Sequence, residues 1–510
     1  MRTRPTIDGS ANCTRERCDA QFLGLLAFST ALLSVRSSHA FEVAVDAQSQ
    51  LQLYSVRSPF GSPTLSRQRL VHQLALDAQS DPPKLDESKV SWAFHSRLRL
   101  DGDYGVSSEE RDPNNLAAFI PGLYTSPVDL SYGYFSVTGL LRDTTGIAIG
   151  RQILFNELGF WSFDGAKVAF SPAGLFELSG FAGYEQRGGL PFLSTSRYES
   201  DGVYRGNRDG MTAPQWPSYL NSSKVAPAFG ASLSFAALRG LRARIDYRRV
   251  NESDRVVTVP FADATGRLAT FSGSRISSER LGTGAGFDIA SRASIDGAWV
   301  YDLYRRTSQE HRAIGTYRLS DRIRLNAGYE YRLPLFDADS IFNWFGARGN
   351  ITSHGSVTYQ PVTAFQVTVG GGARWLGIGP RQLLSEALSA GPESGKDGFF
   401  RIDSSYFARD FSLGSGTLFE SGSGGKRFNS DLWYRRSFLS RKLETLTLVS
   451  AGRWENPLFS ERAQSSVTYV AGVRFFPGAR QELSAEWEHV IAEGPLQRFR
   501  IIATATARFP

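Results

Sequence analysis

The sequence predicts an all-β fold, a single large closed antiparallel transmembrane β-barrel of about 18–22 strands, 20 being the preferred partition, with tight turns at one rim and long loops at the other. Three observations predict it. Segments in which apolar and polar residues strictly alternate recur from residue 41 to the end, and alternation puts the two kinds on opposite faces of a strand. The links between these segments alternate between tight and long. Finally, aromatic residues reach 12% and glycine 50 of 510, while no apolar run after residue 40 approaches the ~20 residues that a spanning helix needs.

Residues 1–40 stand apart from this pattern. Arg2, Arg4, Arg15 and Arg17 precede an apolar run at 22–35, which is followed by Ser38, His39 and Ala40. This order reads as a secretory signal peptide cleaved after Ala40, so that the barrel occupies residues 41–510. Both cysteines, Cys13 and Cys18, lie before the apolar core. The exported part is therefore expected to form no disulfide, no thiolate metal site and no lipidated cysteine.

The first candidate strands cover residues 43–56 and 68–78. Residues 89–101 follow with a cleaner pattern, Val90, Trp92, Phe94, Leu98 and Leu100 alternating with Ser91, His95, Arg97, Arg99 and Asp101. The region 130–152 is also assigned to strands. Leu241, Ala243, Ile245 and Tyr247 alternate with Arg242, Arg244, Asp246 and Arg248, and Ile323, Leu325, Ala327, Tyr329 and Tyr331 with Arg324, Asn326, Gly328, Glu330 and Arg332. Phe365, Val367, Val369, Ala373 and Trp375 oppose Gln366, Thr368 and Arg374, while Val467, Tyr469, Ala471, Val473 and Phe475 oppose Thr468, Gly472 and Arg474. Each segment can cross a membrane, which takes about 9 to 11 tilted residues. With both termini at one rim the strand number must be even, which requires splitting 399–420 in two around Arg409 and Asp410.

Tight links are expected at 171–174, 237–240, 290–293, 320–321, 360–364, 439–442 and 477–480, and long polar ones at 102–128, 186–225, 251–278, 334–348 and 377–396. A soluble sandwich also uses alternating strands, but several arginines in succession opposite an aromatic-rich face, with long and short links sorted by rim, favour a closed barrel that leaves no unpaired edge in lipid.

Several chemistries lack support. The formal charge of +7 is spread rather than clustered, which argues against nucleic acid as a partner. His72, His95, His311, His354 and His489 show no metal-ligand spacing, so neither a metal nor another cofactor is expected. No Gly-x-Ser-x-Gly elbow occurs, and the chain is read as not an enzyme. Gly282, Gly284 and Gly286 alternate with Leu281, Thr283, Ala285 and Phe287, which places them on a strand's inner face rather than in a phosphate-binding loop.

Residues 497–509 alternate Phe499, Ile501, Ala503, Ala505, Ala507 and Phe509 with Arg498, Arg500, Thr504, Thr506 and Arg508, Ile502 being the one exception on the wet face. A final amphipathic strand ending in an aromatic resembles the assembly signal of bacterial outer-membrane β-barrels, although here Pro510 follows Phe509. The resemblance implies residence in the outer membrane, contact with its lipids and handling by the outer-membrane assembly machinery. A second stretch, Gly150-Arg151-Gln152 closing one strand and Phe163-Asp164-Gly165 opening the next, resembles a motif pair of porin-like barrels of the alginate-export type. In strict alternation Arg151 shares a face with Ile147 and Ile149, so a bulge or a rim position is expected there.

The function is then set by the lumen. Arg97, Arg99, Arg242, Arg244, Arg248, Arg324, Arg332, Arg374, Arg474, Arg498 and Arg500 are expected to point inward and to favour anions, because guanidinium donors pair with carboxylate and phosphate. Asp101, Asp246, Glu330, Glu482, Glu486 and Glu488 offset part of this charge. The alginate-export resemblance implies a conduit for an exported polysaccharide, served by a periplasmic or outer-membrane export partner. A passive porin for small anionic solutes is the alternative, with residues 186–225, carrying Arg197, Arg205, Arg208 and Trp216, as the constricting loop. A non-conducting surface scaffold or adhesin is the third reading.

Overall fold

A computed structural model describes residues 41–57, 63–80, 90–103, 128–172, 174–186, 225–235, 240–252, 256–262, 268–272, 275–290, 292–334, 349–378, 395–455, 463–493 and 497–509. Residues 1–40, which were expected to be a signal peptide, Pro510 and most of the long links named above lie outside the described residues. The first strands are β1 (Phe41–Arg57), β2 (Pro63–Ser80), β3 (Ser91–Asp103), β4 (Val128–Gly139), β5 (Thr145–Asn156), β6 (Gly159–Phe170), β7 (Phe176–Gln186), β8 (Val225–Phe235) and β9 (Leu241–Glu252). A small separate hairpin of β10 (Val256–Ala262) and β11 (Leu268–Ser272) follows, within the stretch expected to be an irregular loop. Then come β12 (Arg275–Ile289), β13 (Ala293–Asp302), β14 (Thr307–Ser320), β15 (Ile323–Arg332), β16 (Gly349–Val362), β17 (Phe365–Ile378) and β18 (Gly395–Phe407). The series ends with β19 (Phe411–Gly422), β20 (Gly425–Phe438), β21 (Leu443–Glu455), β22 (Ala463–Gly478), β23 (Gln481–Ala492) and β24 (Gln497–Phe509).

All of these except β10 and β11 form one 22-stranded antiparallel sheet in which neighbours in sequence pair, β9 pairing with β12 across the small hairpin. The sheet closes on itself. β24 pairs with β1 from Val45↔Phe509 to Arg57↔Gln497, so Phe509 is locked into the closing seam. The strand number lies at the top of the expected range, two above the preferred 20. The anticipated division at Arg409 and Asp410 separates β18 from β19.

The sequence-based sorting of turns by rim is incomplete. At the rim carrying both termini most links are tight, as at 321–322, 363–364 and 479–480. Two of them run through consecutive left-handed residues, Leu141, Arg142 and Asp143 in one and Leu439, Ser440 and Arg441 in the other. At the far rim the long links alternate with equally tight ones, Glu157–Leu158 and Ser423–Gly424. A two-residue link leaves no polar stretch to mark a strand boundary, which is why such strands are easily undercounted from sequence.

The outer face is apolar and exposed. Ile149, Val168, Phe229, Ile245, Phe287, Ile295, Leu432, Leu483 and Ile491 all point away from the lumen with their side chains uncovered. At the terminal rim outward aromatics touch across strands, as in Phe170, Phe176 and Phe235 with centroids 6.4 and 6.2 Å apart, and Tyr406, Phe411 and Tyr434 at 5.8 and 6.1 Å. Uncovered apolar surface of this extent is untenable in water, and a belt edged by aromatics is the face a barrel turns to lipid. The protein is an integral outer-membrane β-barrel.

Candidate functional site: the lumen wall and an inward hairpin

The inner face is where the chain's chemistry lies, and it divides into two kinds of surface. Along β14–β24 arginines and carboxylates pair. Arg332 lies 2.6 Å from Glu330, Arg374 2.6 Å from Glu420, and Arg474 2.8 Å from Glu482. Arg498 and Arg500 converge on Glu488 at 2.6 and 2.5 Å, and Arg500 also reaches Glu486 at 3.8 Å. On β9, Arg242 reaches Asp296 at 3.1 Å and Arg244 contacts Asp246. Seven of the eleven expected inward arginines thus lie against a carboxylate on their own strand or one or two strands away, which keeps the wall wet and reduces its net field. Arg97 instead lies 5.6 Å from the ring centre of Tyr132. The side chain of Asp101 lies outside the described residues.

Some arginines stand directly opposite other arginines. Arg324 pairs in register with Arg318 between β14 and β15, on the inner face, with no ion pair to either among the described residues. Arg248 also stands in register with Arg280 between β9 and β12, with its guanidinium over the Trp161 ring. Like charges facing across strands are unfavourable unless something of opposite sign lies between them.

The second kind of surface is built by β5 and β6. The ladder between β4 and β5 stops at Gly133↔Arg151, and that between β6 and β7 stops at Phe163↔Glu185. Residues 152–162 therefore pair only with each other, and this end of the hairpin leaves the wall. Its tip is inside the barrel. The backbone N–H of Glu157 donates to Asp246 on β9 at 3.2 Å, and the Glu157 carboxylate accepts from Arg312 on β14 at 3.4 Å. Leu158 and Glu157 lie over Gly282 and Gly284 of β12, where any side chain would run into them. The glycines read from sequence as an inner strand face are the furrow that admits this tip.

Aromatic packing holds the hairpin against the wall. Trp161, Phe163 and Phe181 meet at centroid distances of 4.9, 5.2 and 5.3 Å, backed by Ala226, Ala228 and Val250, with Leu154 alongside. Phe163 is 0% exposed. Trp161 donates its indole N–H to Glu185 at 2.7 Å and carries Arg248 over its ring at 5.1 Å. On the hairpin's opposite face Phe155 and Phe160, 5.2 Å apart, are turned away from that wall and exposed. The anchor for the tip is Asp246, itself 0% exposed, which also accepts from Ser232 and from Arg244 Nε at 2.9 Å.

The Gly-Arg-Gln and Phe-Asp-Gly residues sit elsewhere than expected. They lie in mid-strand rather than at strand ends, and face each other in register as Gly150↔Gly165, Arg151↔Asp164 and Gln152↔Phe163. Arg151 stays on the outward side with Ile149, and no bulge interrupts its register with β6. Instead it sits where the β4 ladder ends. Its Nε and Nη2 donate to Asp164 at 2.7 and 2.9 Å, while Nη1 donates to the Leu130 carbonyl of β4 at 2.8 Å. The guanidinium thus replaces the backbone donor that the departing strand no longer supplies. Gly150 is required at this bend, with φ of 129° and a backbone approach to the Gly133 carbonyl that leaves no room for a Cβ. These residues brace the hairpin.

Sequence reasoning missed the inward hairpin and looked for a constriction at 186–225, of which residues 187–224 lie outside the described residues. Two signals were available: Trp161 and Phe163 share a strand face where a wet lumen calls for polar residues, and the glycines of β12 mark room for a second layer. Among the described residues no group of three or more potential ligands could hold a metal ion.

No family model matches the chain and no curated protein matches it, so the alginate-export resemblance gains no support from comparison. Solved structures that it resembles include OccK9 (OpdG) of Pseudomonas aeruginosa, at 12% identity over 92% of this chain and 99% of that one with a TM-score of 0.42. OccK7 (OpdD) of the same organism matches at 10% identity over 92% and 99%, with a TM-score of 0.40. The outer membrane protein OpdK, also of Pseudomonas aeruginosa, matches at 10% identity over the same shares, with a TM-score of 0.39.

Proposed function

We propose that this barrel is a passive outer-membrane channel for small anionic solutes. The observation that carries the reading is a hairpin folded inward onto an arginine-bearing wall. A 22-stranded barrel is too wide for its wall side chains to fill, so selectivity by size needs something inside it. The tip of β5–β6 supplies this, anchored at Asp246 and Arg312. Selectivity by charge comes from the inner face, where Arg318 opposes Arg324. Solutes carrying carboxylate or phosphate relieve that opposition as they pass, and the paired arginines elsewhere keep the attraction shallow enough for release.

The polysaccharide conduit is the weaker reading. A long anionic polymer would have to pass a tip tied to three wall strands, whereas a small solute passes beside it. The scaffold reading depends on far-rim loops, most of which lie outside the described residues.

The test is conductance in planar bilayers under a salt gradient. We expect a steady anion-selective channel whose conductance rises when residues 153–161 are replaced by a two-glycine turn. A cation-selective reversal potential would sink the charge argument, and unchanged conductance in the shortened variant would sink the constriction.

A further inference from the structure

The outward face of β18–β21 carries charges that neither the lumen nor an apolar belt explains. Phe400, Phe419 and Phe428 stand in register across β18, β19 and β20, all exposed on the lipid side. One step nearer the far rim, the same face carries Gly398, Ser421, Lys426 and Glu455, again in register. Arg453 lies opposite Phe428, and Lys396 lies one step beyond Gly398 with its ammonium 5.5 Å from the ring centre of Trp375. Lys426 and Arg453 are 67% and 61% exposed and share Glu455, at 4.0 and 3.4 Å. Three cations therefore share this membrane-facing surface with one carboxylate, which only Lys426 and Arg453 reach.

Their depth is fixed by the turn. β19 and β20 are joined by Ser423–Gly424 alone, so at this hairpin the wall ends just beyond Lys426, which puts the cluster at the far edge of the lipid-facing surface. The turn is rigid, because the buried Asp397 accepts from Ser423 Oγ at 3.1 Å and from the Gly424 N–H at 2.8 Å. Gly398 and Ser421 leave a floor of small residues between Lys396 and Lys426, which stand two strands apart, about 10 Å. A charge facing the bilayer is costly unless it meets the interface, where it attracts anionic headgroups.

We propose that this patch binds a phosphate-bearing glycolipid of the outer leaflet. Its acyl chains run down the row of phenylalanines, its sugar headgroup covers Gly398 and Ser421, and its phosphates take charge-assisted hydrogen bonds from Lys396, Lys426 and Arg453. The site faces away from the lumen and is independent of what passes through it.

The experiment is native mass spectrometry of the intact barrel in detergent with a bisphosphorylated lipid A or its dephosphorylated counterpart. The phosphorylated lipid should be retained and the dephosphorylated one lost, and the triple variant Lys396→Gln, Lys426→Gln, Arg453→Gln should bind at least about tenfold more weakly. If that variant misfolds, judged by heat-dependent gel mobility, Lys426→Gln alone changes only one exposed side chain and should weaken binding about threefold. Equal retention of both lipids, or equal retention by wild type and variants, would overturn the proposal. So would displacement of the lipid by inorganic phosphate at the same concentration, which would mark a site for free phosphate.

Discussion

The sector from β5 to β9 and the sector from β20 to β24 solve the same problem in opposite ways. Both have an apolar outer face and an inner face of large side chains. In the second sector those side chains are arginines and glutamates tied across strands and left in water, as Arg474 with Glu482 and Arg498 with Glu488. In the first they are Trp161, Phe163 and Phe181, which water would not tolerate, so the hairpin end leaves the wall and packs its Trp161 and Leu154 over Phe181, Ala226, Ala228 and Val250. A barrel's inner face can be satisfied by charge pairing or by a second layer, and only the second narrows the lumen.

The comparison breaks most sharply at Phe163. Phe163→Ala should cost about 3–5 kcal/mol of stability, because the ring is fully buried in the second layer. Denaturant unfolding in detergent measures it, and a loss under about 1 kcal/mol would mean that the cluster does not hold the hairpin. Asp246→Ala comes next. It strips a fully buried acceptor from Ser232, Arg244 and the Glu157 N–H, with an expected cost of about 1–3 kcal/mol and a noisier channel as the tip loses its anchor. A spin label at Leu158 that stays as immobile in the variant as in wild type would contradict the anchor.

Gly284→Leu tests the furrow. A side chain there collides with Glu157, so the tip should be displaced at a cost of about 1–3 kcal/mol, with a measurable rise in single-channel conductance. The same substitution at Gly472, on the inner face of the other sector, meets only Leu446 and a backbone carbonyl at ordinary contact distances and should leave conductance nearly unchanged. Glu488→Gln should give the smallest effect on stability, about 0.5–1 kcal/mol, because Arg498 and Arg500 remain partly solvated. It should instead raise anion selectivity, read as a larger reversal potential. No change in that potential would show that the paired arginines do not set the wall's field.

Much of the fold was legible in the sequence because a strand's two faces are written at period two. Residues 89–101, 241–248 and 323–332 reveal their lipid side directly, and the division of 399–420 followed from the need for an even number of strands. The face of each arginine was read the same way, but its cross-strand partners were not. Arg498 and Glu488 are neighbours only because β23 and β24 pair in one register, and alternation states a face without stating a register.

The site was less legible, for a different reason. Arg151 read as a bulge or rim residue, and Asp164 as opening the next strand, because a charged side chain on the face of Ile147 and Ile149 has no place in a regular wall. They are in mid-strand because the wall is not regular there: the ladder ends, a carbonyl of β4 loses its partner, and Arg151 takes over.

The sequence by itself determined the class of fold, the lipid face and the charge carried by the lumen, since each follows from which residues alternate with which along one chain. Only the tertiary structure decided the 22-strand closure, the pairing that neutralises most of the wall and the hairpin that enters the lumen. Those depend on contacts between residues far apart in sequence, such as Glu157 with Asp246 and Arg312, whose energies appear only once the strands are in register.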